Sequence, residues 1–152
     1  MGITMSDADV WEMLAKADKG VFVSLRRSGI PIALPVWFVV HEHSIYVRTP
    51  ARSKKIARVI ADDRVAFLVD DGRAWAELRG IHVSGTAQVL DDPQLSEAVA
   101  ALIDAKYAGL RSAPSQRPAA TNQHYADRQI VRITPDQILS WDNRLLRREA
   151  TR

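Results

Sequence analysis

The run Arg64 to Val69, Arg-Val-Ala-Phe-Leu-Val, is rich in β-formers and apolar at odd and even positions alike. A strand sends alternate side chains to opposite faces, so such a run needs apolar cover on both sides. It predicts a central strand, with neighbours required on each flank. Those neighbours can be read on either side of it. Gly20 to Val40 reads as two strands around a turn at Arg27-Ser28-Gly29, and Ile45 to Thr49 as a third, beyond a polar turn at His41 to Ser44. Pro50 stops the third strand, and Arg64 to Asp70 is the fourth. After a turn at Asp71-Gly72, Ala74 to Leu90 is a long β-rich run in which Gly80 and Gly85 mark a bulge or a close approach. Arg128 to Trp141 is the last strand.

Helical signals are inserted among these strands. Ser6, Asp7 and Asp9 read as an N-cap with an acidic first turn, followed by Val10, Met13 and Leu14 on one face. Ile56, Val59 and Ile60 recur at helical spacing between Ser53 and Ala61. Asp92-Pro93 opens a further helix whose buried stripe is predicted as Leu95, Val99, Leu102 and Ile103. Leu110 to Gln123 is polar, holds two prolines and has no periodicity, so positions 110–123 are expected to form a mobile loop. Positions 145–152 are expected to be a charged tail. The pattern is not an alternating βαβ one. It predicts a mainly β fold with added helices (α+β), one domain over 1–152, closing as a six-stranded antiparallel Greek-key barrel that hides its strand edges.

Composition narrows the function classes. There is no cysteine, so disulfides and thiolate metal sites are excluded. The start of the chain lacks a signal-peptide pattern, and the longest apolar stretch, Ile30 to Val40, is short and holds two prolines. A cytoplasmic protein without membrane or nucleic-acid partners is the expectation. The formal charge of +3 is modest, but Arg48, Arg52, Lys54, Lys55 and Arg58 crowd one turn-and-helix segment. Cations ordinarily avoid a helix N-terminus, because its unpaired N–H groups and macrodipole already make it positive. Two readings of Ser53, Lys54 and Lys55 compete: a solvated helix end, or a seat for a phosphate.

The wider pattern favours the second. Thr-x-x-x-Ser-Lys-Lys from Thr49 to Lys55, followed by Asp-x-Arg-Val-x-x-Leu-Val on the next strand, resembles the flavin-phosphate segment of the pyridoxamine 5′-phosphate oxidase-like superfamily. The likeness extends from about Val10 to Arg144. It takes in Pro-x-Trp-Phe at Pro35 to Phe38, the strand around Gly80 and Gly85, and the closing Ile138 to Arg144 segment. It is strongest toward actinobacterial members that use the deazaflavin F420 or FMN. The resemblance implies an FMN-binding type of split β-barrel, a homodimer with cofactor at the subunit interface, and hydride transfer between F420 or FMN and a small-molecule substrate. It also implies that Thr49, Ser53, Lys54 and Lys55 hold the phosphate, and that Pro35, Trp37, Trp75, Arg79 and Trp141 lie near the ring system. The strand Pro31 to Val40 lacks the arginines of true pyridoxamine phosphate oxidases, so vitamin B6 oxidation is not expected. A non-catalytic protein that binds a flavin, F420 or a haem-like ligand is the alternative. No general acid or base can be named, and His41 and His43, without a third ligand, predict a hairpin turn rather than a metal site.

Overall fold

The computed structural model describes residues 2–150. Helix α1 (Asp7–Lys16) leads into β1 (Gly20–Leu25), β2 (Pro31–Val36), β3 (Val39–His41) and β4 (Ser44–Pro50). Helix α2 (Lys54–Ala61) then precedes β5 (Arg64–Asp71), β6 (Arg79–Val89) and helix α3 (Pro93–Lys106). A short helix α4 (Ala119–His124), the long strand β7 (Arg128–Asp142) and helix α5 (Arg144–Glu149) complete the chain. All neighbouring strands are antiparallel, in the order β2-β1-β5-β6-β7-β4-β3.

Seven strands stand where the sequence predicts six, because the apolar run Ile30 to Val40 breaks at Trp37 and Phe38. The break explains the barrel. β2 and β3 are the two edges of the sheet, yet only two residues join them. A residue spans at most about 3.6 Å, so the edges must lie side by side and the sheet must curl into a closed wall. β5, β6 and β7 form a meander, while β4 returns beside β7, which is the expected Greek-key connection. β5 is central, between β1 and β6. Its Val65, Phe67 and Val69 point into the barrel, and Ala66 and Leu68 lie half-buried on the outer face.

Two apolar clusters fix the layers. The first fills the barrel with Phe22, Phe38, Val47, Phe67, Ile81, Val83 and Ile133 and is plugged by Met13 and Leu14 of α1 and Ile56 and Val59 of α2. The second packs Val99, Ile103 and Tyr107 of α3 and its C-cap onto Val39, Tyr46 and Ile130. Leu102 departs from the predicted stripe and is 40 % exposed, since the buried face of α3 is narrower than its apolar pattern.

Ser6 caps α1 by accepting the Asp9 N–H, and Asp92 caps α3 by accepting that of Leu95. The turn after β3 holds Glu42 and His43 at φ of 47° and 60°, a two-residue hairpin of the type that matches strand twist. The β-rich run from Ala74 begins as a 3₁₀ turn, Trp75–Glu77, before β6. The segment expected as a loop carries a 3₁₀ turn at Pro114–Gln116 and most of α4, and α5 occupies much of the expected tail. Residues 151 and 152 of that tail lie outside the described residues. No described helix is long and apolar enough to cross a membrane.

The seam between β2 and β3 is held by α3. The fully buried Tyr107 hydroxyl accepts the Phe38 N–H at 2.8 Å and lies 2.8 Å from the carbonyls of Phe38 and Asp18. The Lys106 amine donates to the carbonyls of Ala17 and Phe38 and sits 4.2 Å from the Phe38 ring centroid. Burial lowers the Lys106 pKa and raises that of Tyr107. Tyr107→Phe strands the buried Phe38 N–H and should cost about 1–3 kcal/mol. The expected readout is a lower denaturant midpoint with an unchanged m-value. A midpoint equal to wild type would show that the seam holds without the hydroxyl.

Candidate functional site

The residues singled out by the sequence fall into three places. The first is the end of β4 and the start of α2. Pro50 ends the strand, the Ser53 N–H bonds back to the Pro50 carbonyl, and helix begins at Lys54. Thr49, 4 % exposed, donates its hydroxyl to Ser53 Oγ at 3.1 Å. Ser53 occupies the N-cap position, yet its side chain makes no cap hydrogen bond. The first-turn N–H groups of α2 thus lack a side-chain acceptor, unlike those of α1 and α3.

No acidic residue occupies that first turn, while Lys54 is exposed and Lys55 half-buried beside it. Burial, then repulsion from Arg58, holds the Lys55 amine below the usual lysine range. Arg58 is tied to the barrel through Ser24 Oγ at 3.0 Å. Free helix N–H groups, two hydroxyls and two lysines make a donor set suited to a phosphate.

Trp37 occupies the second place, at the seam. Its ring stacks flat on Tyr107, with centroids 4.3 Å apart and planes 5° apart, and the Arg111 guanidinium lies 5.5 Å from its centroid. One face of the ring is therefore taken within the chain.

The third place is the far end of β5 and β6. Arg79 grips Asp71 with two hydrogen bonds of 2.7 and 2.8 Å. Trp141 pairs with Gly80 across β6 and β7, and its ring lies where a side chain on Gly80 would go. Trp75 projects from the 3₁₀ turn, 68 % exposed, while Asn143 anchors the backbone beneath it by donating to the Trp75 carbonyl. Pro35 and Arg79 line a cleft of about 780 Å³ that also takes in Glu12, Val21, Leu68 and Arg144.

Within one chain the first and third places do not meet. Arg64 and Asp71, the two ends of β5, are about 23 Å apart at strand rise, with α2 entering at one end and Arg79 standing at the other. A feature that the sequence shows only in part, as the two-sided apolar run of β5, lies on the outer face of the sheet between them. Pro35, Val21, Leu68, His82 and Leu139 form one row across five strands, and Ala33, Val23 and Ala66 continue it. Leu139 is 54 % exposed, and His82 Nδ1 is buried without a hydrogen-bond partner among the described residues. The alternation Val-x-Val in β1 and Ala-x-Leu in β5 was the available signal.

His43, by contrast, is stacked on Trp11, and no group of three potential metal ligands occurs among the described residues.

The sequence profile of pyridoxamine 5′-phosphate oxidase matches residues 7–142. The chain belongs to that family. Among solved structures of the same fold, a conserved hypothetical protein of Mycobacterium tuberculosis is 28 % identical, with a TM-score of 0.81 over 95 % of this chain and 89 % of its own. An FAD-binding protein of Mycobacterium smegmatis is 23 % identical, with a TM-score of 0.62 over 90 % of this chain and 95 % of its own. An F420 reductase is 22 % identical, with a TM-score of 0.64 over 84 % and 94 %. No curated protein matches the chain. Family membership fixes the barrel, and the matched region includes both ends of β5 and the start of α2.

Gly80→Ala tests the placement of Trp141. The new methyl would stand 2.2 Å from the indole, so the ring must move. A cost of about 1–3 kcal/mol and an altered near-ultraviolet dichroism are expected. An unchanged spectrum and stability would place the ring elsewhere.

Proposed function

We propose that this protein is an F420- or FMN-dependent oxidoreductase acting as a homodimer, with a small organic molecule as substrate. The observation that carries the reading is the start of α2. There Ser53 is turned away from capping, and a half-buried lysine stands beside unpaired helix donors. Thr49, Ser53, Lys54 and Lys55 hold the phosphate. The binding of FAD and the F420 reductase activity named for two relatives of the same fold agree with a flavin or deazaflavin.

When bound, such a cofactor supplies hydride chemistry. The chain binds and orients it. Pro35, Arg79 and Trp141, with Trp75 above them, shape the ring pocket at the far end of β5. Because that end is distant from α2 in the same chain, the pocket is completed by a two-fold partner packed on the outer apolar row. That arrangement brings one subunit's Arg79 end to the other's α2. Trp37 supports the seam and borders the pocket from the α3 side.

Removing the Lys55 charge deletes a charge-assisted contact worth roughly 1.5–3 kcal/mol, so Lys55→Ala should weaken cofactor binding by about 10-fold to over 100-fold. Fold stability should hold or rise slightly, since a cation leaves a helix N-terminus. Equal affinity of F420 and of FMN for wild type and Lys55→Ala would refute the phosphate seat. Turnover with reduced cofactor then separates an oxidoreductase from a protein that only binds it.

The pH dependence follows from the lowered Lys55 pKa. Its charge is complete below that pKa and lost as pH rises through it, earlier than for an ordinary lysine. Cofactor affinity should decline over that interval, and the inflection should vanish in Lys55→Ala. An identical profile in both proteins would show that Lys55 does not face the anion.

A further inference from the structure

His82 stands on the outer face of β6, inside the apolar row through which a second copy would dock. Its strand neighbours Ile81 and Val83 are fully buried in the barrel, so alternation turns His82 outward. Leu68 lies opposite it on β5 and Leu139 opposite it on β7. Among the positions diagonal to it on those strands, and those next on its own face of β6, only Asp70 carries a charge. α2 meets β6 from the inner side, through Ile56 and Val59 in the barrel cluster. The other histidines are elsewhere: His41 and His43 flank the turn after β3, and His124 ends α4.

The His82 ring is half-buried, and its Nδ1 is covered with no hydrogen-bond partner among the described residues. A neutral imidazole meets this arrangement with its hydrogen on Nε2, which leaves Nδ1 a bare acceptor. An imidazolium donates at both nitrogens and would hold an unpaired N–H at Nδ1. Water over the open face softens that cost in a single chain. A second copy packed on Pro35, Val21, Leu68 and Leu139 removes the water. A charge enclosed by apolar side chains is then far costlier than a neutral ring. Asp70 attracts an imidazolium, but it is exposed and diagonal to the ring, so the attraction is weak. Imidazole is the side chain that ordinarily changes charge between about pH 5 and 8.

We propose that His82 makes the docking of two copies through this face pH-dependent: the neutral ring is buried in the dimer, and its protonation separates the subunits and opens the shared pocket. The inference rests on the dimer proposed above. Each dimer buries two such rings, so up to two protons are taken up as it separates. The dimer is therefore at full strength above the imidazole range and weakens as pH falls through it.

The test is fluorescence-detected sedimentation of the full chain at about pH 8, 6.5 and 5.5. Wild type, His82→Gln, His82→Leu and His124→Gln are compared. The wild-type dissociation constant should rise about 10-fold or more between the extremes, and His124→Gln should follow it. The rise should be absent in both His82 variants, which should dimerise more tightly than wild type at the lowest pH. An equal rise in wild type and His82→Gln would overturn the proposal. A wild-type dimer of constant strength would overturn it too, while leaving the dimer itself standing. A wild type that is monomeric at every pH would overturn both. Acid dissociation accompanied by loss of the near-ultraviolet dichroism would also count against it, because unfolding would then be the cause. If His82→Leu does not fold, His82→Gln decides alone, since it keeps a polar side chain at this half-buried position.

Discussion

The two-residue joint between β2 and β3 is the constraint on which the rest of the structure depends. Trp37 and Phe38 force the sheet's edges together and turn an open sheet into a barrel. The joint also exposes backbone groups that no strand can satisfy, and buried unpaired amides and carbonyls are costly. Tyr107 and Lys106 answer that need from the end of α3, which draws the helix onto β3, β4 and β7. The α3 layer therefore exists because the seam needs it. The Trp37–Tyr107 stack is carried on the same layer.

Closure also sets the geometry of the candidate site. α2 bridges β4 and β5, strands that are not neighbours, so its first turn is fixed against the barrel by Ile56 and Val59. A helix held this firmly keeps its uncapped N-terminus in place at the cost of the acceptor that Ser53 would have supplied. The residues around Arg79 and Trp141 are equally well anchored, by Asp71 and by contact with Gly80, at the other end of the strand. Both halves are rigid and separate within one chain. The outer row of Pro35, Val21, Leu68 and Leu139 is the surface through which a second copy would unite them.

Much of this was legible because local chemistry and global fold agree. Ser6 and Asp92 cap the helices they were expected to cap, and Val65, Phe67 and Val69 fill the barrel. The Thr49-to-Lys55 spacing placed hydroxyls and lysines on one strand-to-helix turn, where β4 ends at Pro50 and α2 begins at Lys54. The misses arose where a contact between distant segments decides the outcome. Nothing local to Trp37 shows that Tyr107, 70 residues later, will stack on it and break one strand into two. Leu102 fits a helical stripe, but α3 meets the sheet along a line too narrow to reach it.

The central claim is that two chains share their sites, each contributing the start of α2 to one pocket and the Arg79 end to the other. Native mass spectrometry of the purified protein with F420 or FMN added measures this directly. The account predicts a dimer that takes up two cofactor molecules of one kind, with no cofactor on the monomer. A monomer that binds cofactor with full affinity would contradict it.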